Sequence, residues 1–255
     1  MPGTVAITMA GLGNRFAKAG YDRPKYEIEA LGRPLFDWSL LSLEAFRKAG
    51  WRFSFVARNG LGAPEYIHGR SELLEITEVD VFLIDEVTDG QATTALIAAK
   101  QAEKDEPFAV YNIDTFVAPE AMRPPDPKDC AGWLPCFGAP GDGWSFARTD
   151  QKGRVLEVRE KKRISDHATV GLYWFDSAQT YMAAYNDYYR IVGREEKGER
   201  YIAPIYNQLV SDGRKVLIDT ISIDEVGMLG TPEQVDSFVN SPPDVARQLV
   251  GEATP

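Results

Sequence analysis

The chain has 255 residues, with 28 Lys+Arg against 38 Asp+Glu, a formal net charge of −10 and 44% apolar residues, enough for one large domain or two small ones. No apolar run approaches the roughly 18 residues of a membrane span, and the start MPGTVAITMAG has no basic leader and runs straight into a strand pattern, so no secretory signal is expected. The acidic balance argues against a general nucleic-acid binder, which needs a broad basic face, while leaving room for a local basic pocket that takes a small anion.

In chain order, Thr4–Met9 reads as a short apolar strand running into glycines. Leu35–Ala49 carries apolar residues at helical spacing (Leu35, Leu40, Leu43, Phe46), and Arg52–Ala57 reads as a strand. Gly62–Ile76 reads as loop and helix, Val79–Ile84 as an apolar strand and Thr93–Glu103 as a helix. Phe108–Tyr111 is a further strand, ending in Asn112-Ile113-Asp114. This alternation predicts an α/β unit with a mainly parallel sheet. Pro119–Pro127, with four prolines in nine residues, breaks it. Cys130–Phe137, Trp144–Thr149, Arg154–Arg159 and Thr169–Phe175 then read as strands, with a hairpin turn at Asp150–Gly153. Helices over Ala178–Val192 and Ile202–Asp212 and a strand over Lys215–Thr220 follow. The stretch after Asn240 is expected to fray.

Two cysteines, Cys130 and Cys136, cannot build a disulfide framework or a four-ligand zinc site and are expected as reduced thiols. His68 and His167 lie far apart and support neither a His-based triad nor a His-rich metal centre. The tyrosines 181, 185, 188 and 189 have helical spacing and are expected to pack in a core.

The strongest local signal is Met9-Ala10-Gly11-Leu12-Gly13-Asn14-Arg15-Phe16, followed by Pro24-Lys25. A strand ends in a Gly-x-Gly turn whose amides can approach a phosphate, with Arg15 and Lys25 to neutralise it. It is not a P-loop, because the Gly-Lys-Ser/Thr ending is absent. Nor is it the dinucleotide fingerprint: Phe16 stands where the third glycine belongs, and no helix is expected to open there.

With these residues the chain resembles the nucleotidylyltransferases that make nucleotide-activated sugars and related head groups. Ala10-Gly11-Leu12-Gly13-Asn14-Arg15-Phe16, Pro24-Lys25 and Gly32-Arg33-Pro34-Leu35 follow in that family's order. Asp89-Gly90-Gln91-Ala92 is similar to the loop that meets the nucleobase, and Asn112-Ile113-Asp114 to the strand end that supplies a metal carboxylate. Gly153–Val158 leading to Glu160-Lys161 is similar to the second lysine motif. Val170-Gly171-Leu172-Tyr173 and Gly230-Thr231-Pro232-Glu233 also fit, so that the resemblance covers about residues 4–239.

The resemblance implies a Rossmann-like (GT-A-type) three-layer α/β/α fold, with a mixed, mainly parallel sheet and a small acceptor-binding subdomain. It implies a single nucleotidyltransferase domain over residues 1–240, with a nucleotide-binding half at 1–115, an acceptor-binding half at 128–240 and a tail at 241–255. The implied reaction passes a nucleotidyl group from a nucleoside triphosphate to a small phosphorylated acceptor and releases pyrophosphate. The attacking phosphate is already an anion, so positioning and charge neutralisation suffice. Arg15, Lys25 and Lys161 become the catalytic residues. Ala10, Gly11, Gly13, Gly90, Gln91 and Asn112 hold the nucleotide. Glu160, Gly171 and Tyr201 face the acceptor, with Asn207 a weaker candidate, and Asp114 holds Mg²⁺. The implied setting is cytoplasmic, in capsule or surface-polysaccharide synthesis, without membrane or nucleic-acid partners and with a homo-oligomer allowed. One departure stands out. Many members carry a second metal carboxylate three residues before the threonine of Gly-Thr-Pro; here that residue is Met228, so that either Asp114 acts as the sole protein carboxylate, or Asp224 or Glu225 reaches in, or activity is lost. A glycosyltransferase of similar architecture is the alternative enzyme, although Asn112 replaces the first aspartate of its usual Asp-x-Asp. A non-catalytic nucleotide-binding regulator is the alternative outside enzymes, motivated by Met228.

Overall fold

Apolar strands buried on both faces must send alternate side chains into two different cores, and this period of two organises the molecule. The computed structural model describes residues 2–60 and 62–251. Its first half contains β1 (Thr4–Thr8), α1 (Asn14–Lys18), the hairpin β2 (Glu29–Ala30) and β3 (Arg33–Pro34), α2 (Leu35–Leu41), α3 (Glu44–Lys48), β4 (Arg52–Arg58), α4 (Ala63–Leu73), β5 (Val79–Ile84), α5 (Gln91–Ala99) and β6 (Phe108–Asn112). The second half adds β7 (Thr115–Val117), β8 (Gly132–Phe137), β9 (Ser145–Thr149), β10 (Val155–Glu160), β11 (Ala168–Thr169), β12 (Leu172–Phe175), α6 (Ala178–Tyr189), α7 (Tyr206–Ser211), β13 (Val216–Ile221), β14 (Val226–Met228), α8 (Pro232–Asn240) and α9 (Asp244–Gly251).

One mixed sheet of ten strands runs through both halves in the order β10-β9-β11-β8-β12-β6-β1-β4-β5, with β13 added in parallel along β8. β6, β1, β4 and β5 are mutually parallel neighbours, and β12 joins β6 antiparallel. Val5 and Ile7 of β1, Ala109 and Tyr111 of β6 and Trp174 of β12 enter one core, against Phe36 and Leu40 of α2, Phe46 of α3 and Ile67 of α4. Ala6, Phe108, Val110, Tyr173 and Phe175 enter the other, against the alanines of α5, Tyr181 and Tyr185 of α6 and Leu209 of α7. Helices thus cover both faces, giving the expected three-layer α/β/α arrangement.

The order places a topological switch point at β1. The chain proceeds from β1 to β4 and β5 on one side, then returns to β6 on the other. The loops leaving β1 and β6 therefore part in opposite directions and open a crevice at the strand ends, where open α/β sheets bind ligands.

The structure departs from the sequence reading in several places. A helix does open at the glycine turn: α1 begins directly after Gly13, short but real, with Phe16 buried. The helix expected over Leu35–Ala49 is two helices. Ser42, at the break, donates through Oγ to the Trp38 carbonyl at 3.1 Å and accepts from Val117 N at 2.9 Å, so that it ends α2 and ties it to β7. The strand expected over Thr169–Phe175 is interrupted at Val170-Gly171. The helix expected to reach Val192 ends at Tyr189. Residues 244–251 are helical, with Ala246 fully buried, where fraying was expected. There α8 and α9 form a third core with Phe16, Leu35, Trp38 and Phe116. Pro232 and the Thr231 side chain, which accepts from Gln234 N at 3.3 Å, set the start of α8. Among the described residues no helix is long and apolar enough to cross a membrane.

Candidate active site

The crevice at the ends of β1, β4 and β6 is a cavity of about 750 Å³. Ala10, Gly11, Gly13, Arg15, Lys25, Gly90, Gln91, Asn112 and Asp114 all line it, so nine residues singled out in the sequence converge there. Lys25 stands on a single 3₁₀ turn (Lys25–Glu27) after Pro24, and Asp114 lies two residues beyond the end of β6. Their side chains meet: Lys25 Nζ donates to Asp114 Oδ2 at 2.7 Å, with the two side chains 17% and 33% exposed. The charges are wet enough to exchange partners, yet Lys25 is held by its 3₁₀ turn and Asp114 by the end of β6.

Behind this pair a polar chain fixes the floor. Gln91 Nε2 donates to Thr8 Oγ1 at 3.1 Å and also to Asn112 Oδ1. Asn112 in turn presses on Gly171. A Cβ at Gly171 would sit 2.5 Å from Asn112 Nδ2, and Gly171 has φ +89°, a conformation that side chains rarely adopt.

The remaining expected residues form a second group beside the cavity. Glu160 ends β10 and is 9% exposed. It accepts from Ser145 Oγ, and Lys161 Nζ lies 3.7 Å from its other oxygen. Burial pushes the Glu160 carboxyl above its ordinary value, against the opposing pull of Ser145 and Lys161. Lys161 adopts φ +50°, strained for a residue with a side chain. Its Nζ donates to Tyr201 Oη and sits 4.3 Å over that ring. Burial, and then the nearby Glu199 carboxylate, raise the Tyr201 hydroxyl. Asn207 is not part of this group: its amide is spent on the β10 backbone, accepting from Val158 N at 2.9 Å and donating to Val158 O at 2.8 Å.

A short segment joins the two groups. Arg200 N donates to Asp89 O at 2.8 Å and Ala92 N to Arg200 O at 3.0 Å, which docks residues 199–201 on the loop before α5. The docking is close enough that a Cβ at Gly90 would strike the Arg200 backbone. The Arg200 guanidinium pairs with Asp89 at 3.1 Å and Glu195 at 3.5 Å, and Tyr189 Oη donates to Tyr201 O at 2.6 Å. Tyr181, Tyr185 and Tyr189 of α6 are buried, as their spacing predicts, but their hydroxyls serve this segment and the start of α5.

Sequence reasoning missed Arg58, Glu199 and Arg200. Arg58 and Glu199 line the cavity, and Arg200 holds its rim. An arginine ending a strand and a charge run at 194–200 give no local signal, because both patterns usually mark a solvated surface.

A divalent cation can be tested against these residues. Among the described residues no three His, Cys, Asp or Glu side chains converge. Asp114 is the carboxylate beside the glycine turn, and the β14–α8 connection packs on it: Leu229 N donates to Asp114 O at 2.9 Å. Met228 pairs with Thr115 in the short β7–β14 ladder and offers a thioether. Asp224 and Glu225 do not fill the gap: neither lines the cavity, and Glu225 turns back to accept from Ser222 N at 3.3 Å. One hard carboxylate fits Mg²⁺ carried by a polyphosphate that brings the other oxygens.

No family model matches the chain, and neither does any curated protein. Among solved structures, a nucleoside-diphosphate-sugar pyrophosphorylase from Vibrio cholerae RC9 is 34% identical over 92% of this chain and 99% of its own, with a TM-score of 0.85. The inositol-1-phosphate CTP transferase from T. maritima is 15% identical, covers 99% of this chain and 97% of its own, and has a TM-score of 0.75. A UDP-glucose pyrophosphorylase from Acinetobacter baumanii is 16% identical over the full length of both chains, with a TM-score of 0.68. At such identities the last two share the fold.

Proposed function

The chain belongs to the nucleoside-diphosphate-sugar pyrophosphorylase family, and from that premise we propose that it is a nucleotidylyltransferase acting on a small phosphorylated acceptor. What supports this most is the Lys25–Asp114 pair at 2.7 Å, set between the glycine turn and the strand end of β6 in one cavity. In the reaction, an acceptor phosphate oxygen attacks the α-phosphorus of a nucleoside triphosphate. A new P–O bond forms, the α–β bridging P–O bond breaks, and pyrophosphate leaves with the electron pair.

The backbone of Gly11–Gly13 and the Arg15 guanidinium bind the β- and γ-phosphates and neutralise the leaving group. Lys25 turns from Asp114 toward the α-phosphoryl and stabilises its charge during transfer. Asp114 would hold a magnesium ion, whose positive charge supports the triphosphate when bound. Lys161 grips the acceptor phosphate, Glu160 accepts from an acceptor hydroxyl or amine, and Tyr201 positions Lys161. Residues 1–115 would carry the nucleotide and 128–240 the acceptor, in a cytoplasmic setting.

The test is pyrophosphate release from a matrix of nucleoside triphosphates and sugar 1-phosphates with Mg²⁺. Release is expected only when both substrates are present. Glycosyl transfer from a nucleotide sugar without pyrophosphate release would turn the assignment to a glycosyltransferase. Triphosphate binding without turnover of any acceptor would turn it to a regulator.

A further inference from the structure

Arg58 is the last residue of β4, half-buried, and opens into the cavity. Among the described residues its side chain forms no ion pair and no hydrogen bond. A guanidinium on a cavity wall with no carboxylate partner has its fork of donors free for a ligand that presents acceptors. Its place is set by register. Thr8 of β1 lies opposite Val56, so the next two residues carry Arg58 alongside Ala10, and on its other side Arg58 lies opposite Ile84 of β5. It therefore stands between the start of the glycine turn and the loop that leads to Gly90.

The strand order separates Arg58 from the phosphate machinery. Asp114 follows β6, on the far side of β1 from β4. Two strand spacings of about 4.8 Å put roughly 10 Å between the two strand ends. A triphosphate held at Lys25 and Asp114 must extend its nucleoside toward β4 and β5 if it follows the cavity. Other donors at that end are already engaged. Thr88 Oγ1 donates to Gly90 O at 2.9 Å, and the Gln91 amide nitrogen serves Thr8 and Asn112. Among the described residues Arg58 is the charged donor set that remains at that end, with the unpartnered Tyr26 hydroxyl near it.

We propose that Arg58 is a specificity-determining residue that reads the nucleobase, an inference that rests on the nucleotidylyltransferase reading above. A guanidinium offers a planar fork of donors and no acceptor. Its complement is a base edge with two adjacent acceptors: O2 and N3 of cytosine, or O6 and N7 of guanine. Uracil and thymine place an N3–H donor beside each carbonyl, so the fork would meet one acceptor and leave donor facing donor. The site takes cytidine or guanosine triphosphate in preference to uridine or thymidine triphosphate.

Titration calorimetry with CTP, GTP, UTP and dTTP at fixed Mg²⁺ tests this on the unaltered protein and on Arg58→Lys, which keeps the charge and loses the fork. Melting of both proteins without nucleotide checks the fold. The unaltered protein is expected to bind CTP or GTP about 10–100-fold more tightly than UTP and dTTP, the worth of one good bidentate contact. Arg58→Lys should remove most of that preference while changing UTP and dTTP little. Equal affinity for all four, or tighter UTP or dTTP, overturns the inference while leaving the nucleotidylyltransferase reading intact. An equal loss for all four in Arg58→Lys would make Arg58 a phosphate contact and also overturns it. Failure of every triphosphate to bind overturns the reading itself, and this inference with it. The CTP and GTP arms separate the two bases.

Discussion

Two lysines of the same charge have different partners, and substitution should separate them. Lys25 faces the Asp114 carboxylate in the cavity, whereas Lys161 lies over Tyr201 beside Glu160. Lys25→Ala is expected to lower kcat about 100-fold or more, because one preorganised charge at the reacting phosphorus is lost. Lys161→Ala should instead raise the acceptor KM while leaving triphosphate affinity unchanged. Steady-state kinetics with each substrate varied in turn decides, and the reverse pattern would exchange the roles. Glu160 adds a pH signature. Its carboxyl is raised by burial, so the folded protein holds that proton above the ordinary value of 4.5. Stability from this group is complete below that value and is lost as pH rises through the folded-state pKa. Glu160→Gln should therefore gain in melting temperature relative to the unaltered protein between pH 4 and pH 7. A constant difference across that range would contradict the shift.

At the scale of elements, legibility followed length and periodicity. β1, β4, β5 and β6 were readable because each is an apolar run of five to seven residues. The glycine turn, Asn112 and Asp114 were readable because they flank such strands, and Lys25 because Pro24-Lys25 follows that turn. β7 and β14, three residues each, are too short to show a period, yet their pairing carries the segment that covers Asp114. The break at Ser42 was hidden because a serine in a helical pattern shows its tertiary partner, Val117 N, only in the fold. Arg58 was invisible because an arginine ending a strand usually marks a solvated surface, and its place on the cavity wall shows only in the fold. The interruption at Gly171 belongs here as well. Gly171→Ala must force a Cβ onto Asn112 in a conformation of φ +89°. We expect a loss of about 1–3 kcal/mol, the usual cost of such strain, together with weaker nucleotide binding as Asn112 and Gln91 shift. Chemical denaturation and nucleotide titration would show it; an unchanged stability would mean that the β11–β12 break absorbs the methyl group.

At the scale of the whole molecule, the chain's last helices reach back to its first loop. Phe16 follows Arg15 and is packed in the third core with Leu229, Val235, Phe238 and Ala246. Trp38 closes that core, its Nε1 donating to Ala30 O at 2.7 Å. A disturbance in α9 should therefore be felt at the phosphates. Ala246→Asp would place a carboxylate without a partner where the native side chain is fully buried. A lower melting temperature is expected, and with it a weaker triphosphate Kd, because α1 loses its support. Lower stability with unchanged Kd would show that the glycine turn is held by β1 alone.

The segment at residues 199–201 touches the loop before α5 through its backbone and Lys161 through Tyr201, so one short piece of chain is shared by the two proposed subsites. Sharing of this kind makes the two ligands thermodynamically linked. Whatever factor an acceptor imposes on nucleotide affinity by ordering that segment, the nucleotide must impose on acceptor affinity in turn. Equilibrium titrations of a non-reactive triphosphate analogue with and without acceptor, and of acceptor with and without analogue, should return the same factor. Removing the Tyr201 hydroxyl by Tyr201→Phe should bring that factor toward unity, leaving two sites on one molecule that no longer sense each other.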